Sequence, residues 1–184
     1  MDLVARAYLV AGEVLKDAVP RRWVHVLGVA KQARRAGLLF EGDDLDVLIA
    51  SAVLHDVGYG PAAVRTGFHP LDGALYLAEL GVPERVCGLV AHHSCAYREA
   101  SLRGLSSELA AWVDEGTAVR DALWWADMTT GPDGELVDVG LRIAEIEQRY
   151  GPDDLITRFI REARPELLAA VERTEVRLRE AQVK

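Results

Sequence analysis

The chain has 184 residues, of which 50% are hydrophobic, and its 29 acidic and 21 basic residues give a formal net charge of −8. A chain of this length and hydrophobicity can bury a core without disulfides, so one domain over residues 1–184 is expected. The negative charge disfavours binding to the phosphate backbone of nucleic acids. No apolar run is long enough to cross a membrane, and charged residues interrupt the N-terminal stretch where a signal peptide is apolar. We therefore expect a cytoplasmic protein without nucleic-acid or membrane partners.

Apolar residues recur at intervals of three and four along the chain, which predicts helices rather than strands. The expected helices cover residues 2–18, 21–36, 43 to about 58, 71–80, 83–93, 97–115 and 117–128, with a further helix marked by Leu136, Val139, Ile143 and Ile146. Pro165 is expected to split the C-terminal helical segment. No alternating pattern typical of strands is present. The fold class is therefore predicted to be all-α.

The histidines are the main sign of chemistry. All five lie between positions 25 and 93, and three of them adjoin another His or an Asp. Imidazole and carboxylate together suit Mn, Fe, Co, Ni or Zn, and a carboxylate can bridge two ions. Neighbouring residues on a helix diverge by about 100°, so His55 and Asp56 can serve one site only where their helix ends. Gly58 makes a helix end at that point plausible.

Several segments resemble, in the right order, the motifs of the HD superfamily of metal-dependent phosphohydrolases. They are PRRWVHVLGVAKQARRAG around His25, AVLHDVGYG around His55 and Asp56, and DALWWADM around Asp127. Two further segments, FHPLDGALYL and LVAHHS, resemble those that carry the additional histidines of the two-metal branch. The resemblance covers residues 20–130 and implies a single-domain HD-type helical bundle with a metal site in its core. Helices over 135–180 are then expected to pack on this motif core.

The resemblance also implies a set of metal ligands for one or two divalent transition-metal ions. The first ion would be held by His25, His55, Asp56 and Asp127. Asp56 would bridge to a second ion held by His69 and His92. His93 would be a further ligand or a phosphate contact.

The activity implied is hydrolysis of a small phosphorylated metabolite or nucleotide by a metal-activated hydroxide, with Asp56 and His55 in the catalytic centre. Arginine holds phosphate through paired hydrogen bonds, and residues close to the motifs are candidates for weaker substrate contacts. These candidates are Arg22, Tyr59, Arg65, Arg98 and Thr129. Surface solubility explains the arginines at least as well, and packing or turn formation explains Tyr59 and Thr129 better than substrate contact does.

Two departures from better-known branches leave the substrate open. The paired histidines are followed by SCAYREA, whereas the cyclic-dinucleotide phosphodiesterases have GYP there, and Tyr59 stands where a Lys is common. Two other functions use the same ligand types. One is a di-iron oxygenase of HD type, and the other is a metal- or nucleotide-binding module without turnover.

Overall fold

The computed structural model describes residues 2–183, and within this range the chain forms helices and loops without a β-strand. The α-helices are α1 (Leu3–Leu15), α2 (Pro20–Ala36), α3 (Asp43–Leu54), α4 (His69–Glu79), α5 (Glu84–Ala91), α6 (Ala96–Arg103), α7 (Ser106–Leu109), α8 (Ala118–Met128), α9 (Val139–Tyr150) and α10 (Leu155–Gln182). Short 3-10 turns occupy Gly37–Leu39, Val57–Tyr59 and His93–Cys95. The predicted all-α class is confirmed.

Helix α3 lies at the centre of the core. Its last two turns, residues 47–54, are buried on every side, and α1, α2, α5 and α8 all pack against it. Three aspartates in the first turn, Asp43, Asp44 and Asp46, complement the positive end of the helix dipole. The central helix therefore begins at the surface and ends deep in the core, where His55 and Asp56 follow it.

The C-terminal helix α10 packs against α8 and α9. Its buried stripe is apolar and includes Ile160 and Leu167. A charged contact adds to this packing, because Arg173 donates two hydrogen bonds of 2.8 and 2.7 Å to the buried Asp121 of α8, and Arg177 donates a third of 3.0 Å. The helix that carries Asp127 is thus fixed from its outer side.

The structure corrects two predicted elements. The single helix over 97–115 is wrong, because α6 ends at Arg103 and Gly104 caps it in the left-handed conformation with φ 72°. The split at Pro165 is also wrong, since α10 continues through it. Pro165 has no N–H, so the carbonyl of Arg161, four residues earlier, lacks its hydrogen-bond donor in the helix. Both residues are exposed, and water can bond this carbonyl instead. Core packing on both sides of the proline outweighs that loss.

None of the helices in residues 2–183 is both long and apolar enough to span a bilayer.

Candidate metal centre

His55 and Asp56 lie immediately after the C-terminal end of α3. The helix stops at Leu54, His55 is its C-cap, and Asp56 adopts φ −100° and ψ 7°, outside the helical region. Both side chains therefore face the same centre, with His55 Nε2 3.3 Å from Asp56 Oδ2. The expected helix end at this motif is confirmed, although it comes four residues before Gly58.

Gly58 sets the close approach of the next helix. A Cβ atom at this position would lie 2.0 Å from the carbonyl oxygen of His69, the first residue of α4. Only glycine allows the turn after α3 to contact the start of α4 at this distance. His69 is thereby brought within reach of Asp56.

The remaining residues come from α2, α8 and the turn after α5. His25 lies in the middle of α2, Asp127 lies in the last turn of α8, and His93 begins the turn that follows α5. Residues far apart in sequence therefore meet at one buried centre, and the exposed fraction of each of these three is 8% or less.

Asp56 lies between two groups of side chains. Its Oδ2 faces His55 at 3.3 Å and His25 Nε2 at 3.8 Å, whereas its Oδ1 faces His69 Nε2 at 3.4 Å. His69 Nε2 is in turn 3.2 Å from His93 Nε2. The groups His25–His55–Asp56 and Asp56–His69–His93 each bring their ligand atoms within 4.8 Å of one another. One carboxylate thus joins two ligand groups, one through each oxygen.

Asp127 completes the first group from the other side. Its Oδ1 lies 3.1 Å from His25 Nε2 and 3.8 Å from His55 Nε2. Its Oδ2 accepts a hydrogen bond from the hydroxyl of Ser94. The carboxylate is therefore oriented towards both imidazoles.

Backbone carbonyls determine which ring nitrogen faces the cluster. The Nδ1 atoms of His25, His55 and His93 donate to the carbonyls of Gly131, Ala52 and Val90, at 2.9, 2.8 and 2.6 Å. A carbonyl only accepts, so in the neutral rings the proton is on Nδ1 and the Nε2 lone pair is free. Histidines that bind metals are commonly oriented by such an outer hydrogen bond.

The charges at the site favour ligand forms of these groups. Burial raises the pKa of Asp56, but Arg22 and His55 outweigh this and hold it well below its usual range. Burial likewise opposes ionisation of Asp127, but the polar contact with His25 and the charge of His55 outweigh it and lower its pKa. Burial lowers the pKa of His69. The carboxylates are thus ionised and His69 is neutral at neutral pH, as metal ligands must be.

His55 carries the positive charge that the two carboxylates attract. Burial lowers its pKa, but the charges of Asp56 and Asp127 raise it to about 9. Its Nε2 atom is nevertheless buried without a hydrogen-bond partner. A buried polar atom without a partner is unusual and calls for an explanation. A divalent cation bound among these groups would displace the Nε2 proton and become the partner of this atom.

The residues present fit a divalent transition-metal ion. Imidazole nitrogens and carboxylate oxygens are the donors that Mn, Fe, Co, Ni and Zn share. Atoms bound to one such ion at about 2.0–2.1 Å lie roughly 3 Å apart, close to the 3.1–3.4 Å separations between neighbouring donors here. The buried His and Asp cluster could therefore hold a metal.

His92 does not join this cluster, which corrects its assignment as a ligand of the second ion. Its Nε2 donates to the carbonyl of Trp112 at 2.9 Å, and its own carbonyl accepts from Trp124 Nε1 at 3.0 Å. Helix α5 ends at Ala91, so the two adjacent histidines diverge. His93, expected as a further ligand or phosphate contact, takes the position beside His69.

Two of the predicted substrate contacts lie beside the cluster. Arg22 donates a 2.7 Å hydrogen bond to Asp56 Oδ2, and its guanidinium lies 4.1 Å from the centre of the Tyr59 ring. The Tyr59 ring stacks in turn on His69, with ring centres 4.1 Å apart and 19° between the planes. Arg22 and Tyr59 therefore hold the second ligand group in place.

The other three predicted contacts are elsewhere. Arg65 is exposed and pairs with Glu79, and Arg98 donates to Glu166 at 3.3 Å. Thr129 is buried, but its hydroxyl donates to the Trp125 carbonyl at 2.7 Å within its own helix turn. These residues pair locally and do not line the cavity at the cluster.

The structure reveals two features that the sequence reasoning missed. Ser94, which bonds Asp127, has φ 47°, and Cys95 follows with φ 61°. Such values are uncommon for residues other than glycine and often occur at functional sites. The second feature is a cavity of about 90 Å³ beside the cluster, lined partly by α9 and α10. Neither a strained turn nor a wall from distant helices has a signature in sequence periodicity.

Comparison with protein-family models gives a match to the HD domain over residues 22–118. Searches of curated proteins and of solved structures each gave no match. The matched segment contains all five histidines and Asp56, and the structure adds Asp127 from just beyond it. HD domain proteins are commonly metal-dependent hydrolases, which agrees with the resemblance found in the motifs. With over half of its length matched and the motif residues gathered at one buried site, the chain belongs to the HD domain family.

Proposed function

We propose that the protein is a metal-dependent phosphohydrolase with two divalent transition-metal ions, acting on a small phosphorylated metabolite or nucleotide. The observation that carries this proposal is the position of Asp56, whose two oxygens face separate histidine groups. His25, His55, Asp56 and Asp127 would hold the first ion, and Asp56, His69 and His93 the second. When bound, two such ions polarise phosphoryl oxygens and lower the pKa of a water molecule for attack.

Arg22 and Tyr59 would support this chemistry from the side of the cavity. The Arg22 guanidinium bonds the bridging carboxylate and also lines the cavity, so it is placed to attract a phosphoryl group. Burial raises the pKa of Tyr59, which keeps its phenol protonated and able to donate a hydrogen bond. Both residues can therefore orient a substrate without titrating near neutral pH.

The burial of the cluster favours chemistry at a site that excludes bulk water. His25, His55, Asp56 and His93 are exposed by 4% or less. Electrostatic interactions with a phosphoryl group are stronger in such surroundings than in water. Ser94 would keep Asp127 directed at the first ligand group throughout.

The proposal is tested by phosphate release. The protein is stripped with a chelator, reloaded separately with Mn²⁺, Fe²⁺, Co²⁺, Ni²⁺ or Zn²⁺, and assayed on a panel of phosphomonoesters and nucleotides with and without oxygen. We expect metal-dependent release that needs no oxygen, that disappears in Asp56→Asn, and that persists in the matched variant Asp153→Asn, whose side chain is exposed.

Two results would contradict hydrolysis. Oxygen consumption with Fe²⁺ and no phosphate release would indicate the oxygenase with the same ligand types. Binding of nucleotides without any product would indicate a module without turnover.

A further inference from the structure

The cavity beside the metal cluster is built from two parts of the chain. Asp56, His69, His93 and Asp127 line it from the cluster. Helices α9 and α10 contribute seven residues of the wall: Arg142, Ile146, Arg149, Tyr150, Ile156, Phe159 and Ile160. Both helices lie after the segment that matches the HD domain, which ends at residue 118. Part of the cavity wall is therefore formed by helices outside the matched segment.

One face of α9 brings two arginines into the cavity. Arg142, Ile146 and Arg149 are spaced by four and three residues, so they lie on one side of the helix, and all three line the cavity. Helix α10 adds Ile156, Phe159 and Ile160, which are apolar. The wall thus combines two cations with an apolar surface.

Arg142 is buried with only part of its hydrogen-bonding capacity used. The residue is 6% exposed, and its Nη1 donates to Glu145 Oε2 at 2.6 Å. Its Nε atom is buried and has no hydrogen-bond partner. Burying a guanidinium is costly unless its donors are satisfied. An acceptor that the folded chain does not provide would complete its bonding.

The charge around Arg142 is positive. Glu145 also accepts two hydrogen bonds from Arg149, so one carboxylate is shared by two guanidinium groups and leaves one positive charge in excess. Glu99 lines the same cavity, but its charge is balanced by Arg103, which donates to it at 2.7 Å. This end of the cavity therefore favours an anion.

We infer that Arg142, assisted by Arg149, binds a second anionic group of the substrate, so that the preferred substrate is a small phosphate ester that also carries a carboxylate or a second phosphate. The inference rests on the proposed function, because the ester phosphate would occupy the metal end of the cavity beside Arg22. The short body of the substrate would contact the apolar residues of α9 and α10.

The size of the cavity agrees with a small substrate. Its volume of about 90 Å³ is well below the roughly 300–1,000 Å³ of pockets that enclose drug-sized ligands. A two- or three-carbon ester fits this space, and a second cavity of about 430 Å³ shares Arg22, Tyr59 and Arg149 with it. The charge of Arg142 then selects among small esters.

The experiment compares small phosphate esters that differ in the group at the end opposite the phosphate: a carboxylate, a second phosphate, a hydroxyl or an amine. Calorimetry measures the affinity of 2-phosphoglycolate, ethylene glycol bisphosphate, 2-hydroxyethyl phosphate and phosphoethanolamine, with and without Mn²⁺. We expect the first two to bind at least about tenfold more tightly than 2-hydroxyethyl phosphate, as expected for a charge-assisted bond to arginine. Phosphoethanolamine should bind most weakly. The first two ligands distinguish a carboxylate from a phosphate as the second anion.

Variants then assign the preference to its residue. Arg142→Gln should abolish the preference for ligands with two anionic groups and reduce their affinity far more than that of 2-hydroxyethyl phosphate, whereas the exposed Arg158→Gln of α10 should behave as wild type. If Arg142→Gln does not fold by circular dichroism, Arg149→Gln at the more exposed position should reduce the preference severalfold.

Several results would overturn the inference. These are equal affinity for all four ligands in the wild type, no binding of any of them, or an unchanged preference in both variants. Because affinity for the metal-free protein is read without turnover, the two proposals can fail separately. A preference for two anionic groups without phosphate release refutes the hydrolase alone, and release without this preference refutes the anion site alone.

Discussion

Hydrogen bonds to the backbone decide which histidines face the cluster. His25, His55 and His93 each donate from Nδ1 to a carbonyl and leave Nε2 directed at the carboxylates. His92 instead uses Nε2 to bond the carbonyl of Trp112. With Nε2 turned to this carbonyl, His92 belongs to neither ligand group, and its ring stabilises the fold.

The contrast between the two adjacent histidines gives a prediction. His93→Gln should lower the metal content by about one ion per chain, because it removes a ligand of the second group. His92→Gln should leave the metal content unchanged, since a glutamine amide can still donate to the Trp112 carbonyl. Metal content is measured by mass spectrometry after reconstitution. Loss of metal in His92→Gln together with full retention in His93→Gln would refute this assignment.

Much of the cluster was predictable from the order of His and Asp in the chain. His25, His55, Asp56, His69 and Asp127 all lie where the motif resemblance implied. The choice between His92 and His93 was not predictable, because it depends on α5 ending at Ala91 and on the left-handed turn that follows. The bond from Ser94 to Asp127 depends on the same turn.

Helices α8 and α10 are held together by a buried carboxylate. Asp121 accepts three hydrogen bonds from Arg173 and Arg177. Burial raises the pKa of Asp121, but these two arginines outweigh it and lower the pKa below its usual range. Because the folded pKa is lowered, the stabilisation is present above the unfolded pKa of about 3.9 and is lost as the pH falls below it.

We therefore expect Asp121→Asn to lower the free energy of unfolding by about 2 kcal/mol at pH 7, the order expected for lost hydrogen bonds to a charged group. The difference between wild type and variant should shrink as the pH falls from 5 to 3. Urea unfolding of metal-free protein at several pH values measures it, with Asp153→Asn as the exposed control. A difference that stays constant with pH would contradict the role given to the charge.

Pro165 gives a second prediction at the scale of the helix. It lies inside α10, is exposed, and lacks the N–H that the helix would use. Pro165→Ala should raise the free energy of unfolding by about 2 kcal/mol, because it restores a helical hydrogen bond at a modest entropic cost. Arg164→Ala, at the adjacent exposed position, should have little effect. Destabilisation by Pro165→Ala, measured by urea unfolding, would show that the proline fits its site.

The sequence predicted most helices because their apolar periodicity is strong. It failed where one residue competes with that periodicity. Gly104 ends α6 although apolar residues continue the pattern, whereas Pro165 does not end α10 because residues on both sides of it are buried in the core. At Gly104 the local signal was correct and the periodicity misled, whereas at Pro165 the local signal misled and tertiary packing decided.

At the scale of the whole molecule, two segments have separate roles. The segment that matches the HD domain, residues 22–118, contributes every histidine of the cluster. Helices α9 and α10, outside that segment, line the cavity with arginines and apolar residues. The sequence pointed to the first segment through its motifs. The second has no motif, so its place in the cavity wall emerged only from the folded chain.

If Asp56 joins two metal sites, as proposed, each chain should bind two ions. The number of metal ions per chain is determined by mass spectrometry on protein purified without chelator and after reconstitution. We predict close to two transition-metal ions in the wild type and less than one in Asp56→Asn. A wild-type chain that takes up no Mn²⁺, Fe²⁺ or Zn²⁺, or an Asp56→Asn variant that retains two ions, would contradict the account.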